Sequence, residues 1–159
     1  MAGIDLAPRA GIGWTYITGR GGMQTVMDVV TGQADVFFNG MLPTVPHIQS
    51  ARLRLLAVSS DKRVERFPNA PTIAESGMPG FLTGSWQGVL APAGTPREVL
   101  ARLQAEVTRI VRLPELRKRY IERGIELVAS ASPDEFTAGI RVEFDKKAKL
   151  ARDTGMRLE

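Results

Sequence analysis

Residues 19–40, GRGGMQTVMDVVTGQADVFFNG, contain the feature that decides the predicted fold, an apolar helix that is entered and left through glycine. Its apolar residues recur at helical spacing on one face: Met23, Val26, Met27 and Val30. Gly32 can adopt the left-handed conformation that closes such a helix. The run ADVFF at 34–38 then predicts a buried strand that stops at Asn39 and Gly40.

The start of this helix lacks the side chain that usually caps a first turn. Gly21 and Gly22 precede the apolar face, and no Asp or Glu follows them before Asp28. The first four N–H groups of a helix have no partner within it, and the aligned peptide dipoles leave about half a positive charge there. With Arg20 beside it, this end can receive a small carboxylate that completes the cap. A glycine-rich turn capped by water explains the same residues equally well.

Extended segments alternate with helices along the first two thirds of the chain, which predicts the α/β class with a mixed or mostly parallel sheet. Aromatic and β-branched residues favour further strands at 14–18, 53–60 and 85–92, and a short one follows Gly124. Proline and glycine indicate a loop over 61–84 with one helical turn at 72–76.

The helices of the remaining chain are marked by their caps and prolines. A short helix is expected near 42–50, and Pro114 begins another that closes at Gly124. Two capping boxes, each with a proline at its second position, predict the starts of the longer helices: Thr95-Pro96-Arg97-Glu98 and Ser132-Pro133-Asp134-Glu135. The second of these helices is expected to end near Gly155.

The composition excludes several classes of function. The chain has 159 residues, 43% of them hydrophobic, which suits one ordinary domain with a single core. It contains no cysteine, no apolar run that could span a bilayer, and no secretory signal in its first ten residues. The net charge of +4 is spread along helices beside Glu and Asp, so nucleic acid is not expected as a partner.

Catalysis has little support in the sequence. The one histidine, His47, lies between Pro46 and Ile48 without an acidic neighbour, which is typical of a packing or surface residue. Neither a nucleophile elbow nor a metal-spaced cluster of His, Asp and Glu occurs, and the glycines match no complete nucleotide-binding fingerprint. We therefore expect no enzymatic activity, no metal and no cofactor.

Several blocks taken together resemble the Bug (TctC-type) solute-binding proteins, the extracytoplasmic receptors of bacterial tripartite tricarboxylate transporters. The blocks are GGMQTVMDVVTGQADVFF (21–38), LPTVPHI (42–48), LRLLAVSSDKRVERFPNAPTIAESGMPGF (53–81) and SWQGVLAPAGTP (85–96). Their order and spacing hold over roughly residues 16–159. Where the family usually has Val-Pro-Tyr-Lys before the glycines, this chain has Ile17-Thr18-Gly19-Arg20, which keeps a cation.

The resemblance implies one lobe of a periplasmic-binding-protein type II (Venus-flytrap) fold, a mixed sheet flanked by helices, with the first lobe absent. Residues 1–92 would form the second, ligand-binding lobe. Residues 93–159 would form a C-terminal helical segment that packs partly on the missing lobe in the full family fold. From about residue 96 onward this leaves an apolar surface, which we expect to be covered by self-association or by refolding of the helices.

The resemblance also implies a function in transport, in the periplasm, with membrane transporter subunits as partners. The ligand would be a small carboxylate, such as a dicarboxylate, an amino acid or an aromatic acid, held largely by backbone amides and ordered water. The implied binding residues are Arg20, Gly21, Gly22, Met23, Gln24, Asn39 and Gly40. The alternative is a truncated or degenerate receptor lobe that binds no ligand and only self-associates.

Overall fold

The structure, a computed structural model, describes residues 2–17 and 21–155. Within these ranges the regular elements are six α-helices. They are α1 (Ala2–Ala10), α2 (Gly22–Val30), α3 (Met41–Gln49), α4 (Arg97–Val111), α5 (Pro114–Ile121) and α6 (Pro133–Thr154). No helix in the described part of the chain is long and apolar enough to cross a bilayer.

The chain divides into two compact units. The first comprises Ala2–Trp86 and Arg119–Glu126, and the second comprises Gln87–Lys118 and 127–155. Among the described residues, the buried apolar side chains all lie in the first unit: Ala7, Val26, Val45, Val58, Ile73 and Phe81. The division of function at residues 92 and 93 stays a prediction, because compactness alone does not tell which lobe a segment serves.

Helices α2 and α3 pack against each other in the first unit, close to where the sequence predicts them. Val26 is fully buried at the centre of the predicted apolar face, whereas Met23, in the first turn, is 63% exposed. Gly32 follows α2 with a φ of 77°, as its predicted role in closing the helix requires.

The predicted sheet is absent from the described residues, and this part of the fold-class prediction is wrong. The segments 14–17, 34–38, 53–60, 85–92 and 125–130 contain no ladder, and the one parallel bridge joins Val58 to Thr72. An apolar, β-branched run predicts an extended backbone, but a ladder also needs a second extended segment about 4.8 Å away. Val58 instead exchanges hydrogen bonds with Pro71 and Ile73, at the start of a turn.

The two predicted capping boxes have opposite outcomes. Ser132 caps α6 as predicted: its Oγ accepts a hydrogen bond of 3.1 Å from the N–H of Glu135, whose carboxylate accepts one from the N–H of Ala131. Thr95 does not cap α4, because its hydroxyl donates to the carbonyl oxygen of Pro92 at 2.8 Å. Because the hydroxyl is bonded to a carbonyl oxygen that precedes it in the chain, it does not bond to the N–H groups at the start of α4.

A reciprocal box at residues 72–75 was not identified from the sequence. Thr72 Oγ1 accepts from the N–H of Glu75, and Glu75 Oε2 accepts from the N–H of Thr72. Arg63 Nε donates to the same carboxylate at 3.0 Å. The hydrogen bond from the Thr72 backbone, followed by the Arg63 guanidinium, holds the pKa of Glu75 below its ordinary value. This box lies at the start of a hydrogen-bonded turn over 73–77, where the sequence predicts one helical turn.

Helix α1 was also missed from the sequence, because Gly3 and Pro8 both disfavour a helix. The remaining local signal is the pair of Asp5 and Arg9, four residues apart, whose side chains lie 3.0 Å from each other. Ala7 is the buried residue of this helix, and the Tyr16 hydroxyl donates to the carbonyl oxygen of Gly3. These contacts attach the aromatic segment after α1 to the helix.

Candidate functional site

Helix α2 begins at a glycine without a capping side chain, as its sequence predicts. Gly21 is the N-cap residue, with a φ of 128° and a ψ of 161° that side-chain-bearing residues rarely adopt. Among the described residues no side chain caps this end, and the first turn carries no acidic residue. The Thr25 hydroxyl points back to the carbonyl oxygen of Gly21, at 3.0 Å, and so leaves the N–H groups uncovered.

Helix α3 begins in the same way. Its N-cap is Gly40, which has extended backbone angles, and no described side chain caps it. The first turn contains no acidic residue, and Pro43 contributes no N–H group. The first unit therefore has two helix starts whose local charge is positive and not neutralised by an acidic side chain in the first turn.

Asn39 connects the two helix starts through its side-chain amide. Its Nδ2 donates to the carbonyl oxygen of Gly22 at 2.7 Å, and its Oδ1 accepts from the N–H of Gly40 at 2.8 Å. A Cβ atom at Gly22 would lie 3.3 Å from that Oδ1, so the glycine also permits the close approach. Because one side chain binds both, the N-termini of α2 and α3 lie side by side.

The structure brings six of the seven predicted binding residues together. Gly21, Gly22, Met23, Gln24, Asn39 and Gly40 are all solvent-exposed and all belong to the first unit. The seventh, Arg20, lies outside the described residues. The sequence predicted the members of this group, but not that the Asn39 side chain would hold the two helix starts together.

The side chain of Gln24 is directed along α2. Its Nε2 donates to Asp28 Oδ1 at 2.9 Å, one turn further into the helix. This bond occupies one oxygen of the acidic side chain that follows the first turn. Gln24 therefore offers the helix start its main-chain N–H, while its amide group is engaged with Asp28.

The arrangement suits binding of an anion rather than chemistry on one. Main-chain N–H groups at a helix start, supported by the helix dipole, hold carboxylates and phosphates without any proton transfer. The described residues contain no group of three or more His, Cys, Asp or Glu side chains that could hold a metal ion. His47 lies in the last turn of α3, away from the helix start. The site thus offers positive charge and hydrogen-bond donors.

Comparison with known proteins identifies relatives over almost the whole chain. The profile of the TctC family, described as "Tripartite tricarboxylate transporter family receptor", matches residues 3–156. A relative from Pseudomonas sp. (strain P51), described as a UPF0065 protein in the tcbD-tcbE intergenic region, is 34% identical over 151 residues. The match covers 94% of this chain and 45% of the relative.

Two solved structures have a similar fold. The R. palustris protein Rpa4515, solved with adipate, superposes with a TM-score of 0.86 at 27% identity, covering 97% of this chain and 51% of its own. The periplasmic binding protein BugD superposes with a TM-score of 0.82 at 28% identity, covering 99% and 53%. The chain spans about half the length of the relatives it matches, which agrees with one lobe of a two-lobed binding protein.

Proposed function

The chain belongs to the TctC family of tripartite tricarboxylate transporter receptors, and on this premise we propose that it forms the carboxylate-binding half of a periplasmic solute receptor. The family consists of solute-binding receptors for transporters and is not a family of enzymes. Its members include periplasmic binding proteins, so the periplasm is the expected compartment. The transporter's membrane subunits are then the expected partners of the complete receptor.

The observation that carries the proposal is the pair of glycine-capped helix starts joined by Asn39. A carboxylate placed there accepts hydrogen bonds from the first-turn N–H groups of α2, at Gly22, Met23 and Gln24. The N-terminus of α3, beginning at Gly40, adds a second positive end on the same side. Arg20 would contribute a cation to the same anion.

A small dicarboxylate is the ligand class that we assign to the site. The similar Rpa4515 structure contains adipate, a chain with a carboxylate at each end. One carboxylate would fill the uncapped helix starts described above. The other would be held by groups outside this lobe, because a small ligand needs enclosure on most of its surface.

Binding by this half alone is expected to be weak. An open surface leaves the ligand in contact with water, which competes for each hydrogen bond, and about half of the contacts of an enclosed ligand are missing. Single interactions at a helix start are worth about 0.3–2 kcal/mol. We therefore expect a dissociation constant for adipate in the millimolar range, corresponding to roughly 4 kcal/mol of binding free energy.

The test is isothermal titration of adipate into the parent chain and into two variants at one position. Gly22→Asp places a carboxylate on the first turn of α2, where it satisfies the helix dipole and repels the ligand. Gly22→Asn makes the same steric demand on Asn39 without the charge. We expect Gly22→Asp to weaken adipate binding at least tenfold and Gly22→Asn to weaken it much less. Equal binding by parent and Gly22→Asp would remove the basis for the proposal.

A second candidate function, self-association without a ligand, is favoured by the apolar surface of the second unit. Val89, Leu90 and Val128 are 70%, 77% and 77% exposed. None of the described residues of α4 or α6 is buried, and Phe144 of α6 is exposed as well. Large apolar side chains that are exposed to solvent in this way favour burial against another surface. Sedimentation velocity at high concentration tests this candidate, and a monomer would argue against it.

A further inference from the structure

An open groove runs beside the exposed side of α3, within the first unit. Its volume is about 620 Å³. Three residues of α3 form its apolar floor: Leu42, Val45 and Pro46. Val45 is 5% exposed and anchors the floor in the core, whereas Leu42 is 50% exposed and presents its side chain to solvent. The groove is thus an apolar strip that the described residues leave uncovered.

Charged side chains border this strip. Arg66 lies on one loop, and Glu122 and Arg123 follow α5. In the described part of the chain none of these three side chains takes part in a salt bridge or a side-chain hydrogen bond. The Arg66 guanidinium carbon lies 5.5 Å from the ring centre of Phe67, within the range of a cation–π contact. The border therefore has two available cations and one available carboxylate.

Close packing of the loop after α5 against α3 holds this border in place. Gly124 has a φ of 72°, and a Cβ atom there would lie 3.1 Å from the Cβ and Cε atoms of Met41. The loop therefore approaches the first turn of α3 as closely as a glycine permits. This contact places the backbone next to Arg123 against the first turn of α3, and Arg123 lines the groove.

The shape and charge of the groove favour a protein segment over a small molecule. A small ligand is held in a pocket that encloses most of its surface, whereas this groove is open to solvent. Apolar side chains at helical spacing can fill the strip formed by Leu42 and Pro46, which are themselves one helical turn apart. Carboxylates on the same segment can pair with the two arginines, and one basic side chain can pair with Glu122.

We propose that the groove beside α3 binds an acidic, amphipathic segment of a partner protein, and that Arg66 and Arg123 pair with the carboxylates of that segment. This binding site is separate from the proposed carboxylate site and does not depend on it. The two are nevertheless connected along one helix, since α3 begins at Gly40 and presents Leu42 to the groove. A docked segment would therefore contact the same helix whose start is proposed to receive the ligand.

The test is selection from a random library of 16-residue peptides displayed on phage, with the parent chain as the target. The selected peptides are then measured against Arg66→Glu/Arg123→Glu and against the control Arg102→Glu/Arg141→Glu. Both control residues are exposed and lie in the other unit. Each double variant lowers the net charge from +4 to 0, so the two differ in position and not in total charge.

We expect the selected peptides to be net acidic, with apolar residues three or four apart. Their affinity should fall at least tenfold with the Arg66 and Arg123 variant and less than twofold with the control. The Arg66 and Arg123 variant should also gain affinity for peptides in which Lys replaces Glu, a result that unfolding cannot produce. Neutral or basic selected peptides, or equal losses in both variants, would overturn the proposal. So would self-association of the parent chain that only the Arg66 and Arg123 variant abolishes, since the groove would then receive a second copy.

Discussion

The side-chain amide of Asn39 donates a hydrogen bond of 2.7 Å to the carbonyl oxygen of Gly22, seventeen residues earlier in the chain. The same side chain accepts a bond from the N–H of Gly40. One amide group thereby sets the distance between the first turn of α2 and the first turn of α3. The proposed carboxylate site is therefore a property of two helices held together, and not of a single glycine-rich turn.

Replacing Asn39 with alanine removes both of these hydrogen bonds. Because the residues are exposed and water can replace part of the interaction, we expect Asn39→Ala to lower the free energy of unfolding by about 1 kcal/mol. Urea denaturation followed by circular dichroism measures the change. Asn69→Ala is the control, since Asn69 is exposed and its side chain makes no hydrogen bond within the described residues. Equal losses in the two variants would show that Asn39 does not hold the helices together.

Two glycine-to-alanine changes should have opposite effects on stability. Gly124→Ala is expected to lower the free energy of unfolding by about 1–2 kcal/mol, because its left-handed backbone disfavours a side chain. The new Cβ would also meet Met41 at 3.1 Å. Gly139 lies inside α6, and no atom lies within 4 Å of the Cβ that alanine would add. Gly139→Ala should therefore raise the free energy of unfolding by about 0.5–1 kcal/mol. Thermal unfolding of both variants shows whether each change stabilises or destabilises the chain. Destabilisation by Gly139→Ala would contradict this prediction.

The cap of α6 gives a further prediction. Ser132→Ala removes the acceptor of the Glu135 N–H and should cost about 1 kcal/mol of stability, with a loss of helical circular dichroism. Thr95→Ala is the matched comparison, because the sequence predicts a cap there but the Thr95 hydroxyl is bonded to Pro92 instead. Thr95→Ala should cost less than Ser132→Ala. The reverse order would mean that Thr95 caps α4 after all.

Acid should destabilise the loop that contains Glu75. The Thr72 N–H and Arg63 hold the pKa of this carboxyl below its ordinary value, so the unfolded chain binds its proton more readily than the folded chain. The stabilising contribution is therefore present above the ordinary pKa of a glutamate and is lost as the pH falls through the lowered, folded-state pKa. Urea midpoints at neutral and acidic pH measure it. Glu75→Gln should reduce the difference between the two midpoints.

The control for this pH effect is Glu65→Gln, since Glu65 is exposed and makes no hydrogen bond with its side chain in the described ranges. It should change the dependence of the urea midpoint on pH less than Glu75→Gln does. If Glu65→Gln changed that dependence as much as Glu75→Gln, a general charge effect would explain the result. The bond between Thr72 and Glu75 would then have no particular role.

The helices could be predicted from the sequence wherever the signal was local. The apolar spacing of α2, the proline and acidic residues after Ser132, and the closing Gly155 all act within a few residues of the structure they produce. Interactions over longer separations could not be predicted in this way. The extended runs at 34–38 and 53–60 have strand composition, but a sheet depends on which segments meet, and composition does not determine that.

In the candidate site, too, the local features could be predicted from the sequence and the long-range contact could not. The uncapped start of α2 was predicted because the glycines, the absence of acidic residues in the first turn and the helical spacing all lie within residues 21–30. The role of Asn39 was not, because its bond to Gly22 joins two elements that are separated by a helix and a turn. An asparagine before a glycine usually indicates only a turn, so its sequence context gave no sign of this bond.

The proposed carboxylate site is tested most directly by titrating the ¹⁵N-labelled chain with adipate and following its backbone amide resonances. We expect the largest shifts at Gly22, Met23, Gln24 and Met41, and their loss in Gly22→Asp. Shifts confined to other parts of the chain, or undiminished shifts in the variant, would contradict the proposed site. In either case the uncapped helix starts would not be where the carboxylate binds.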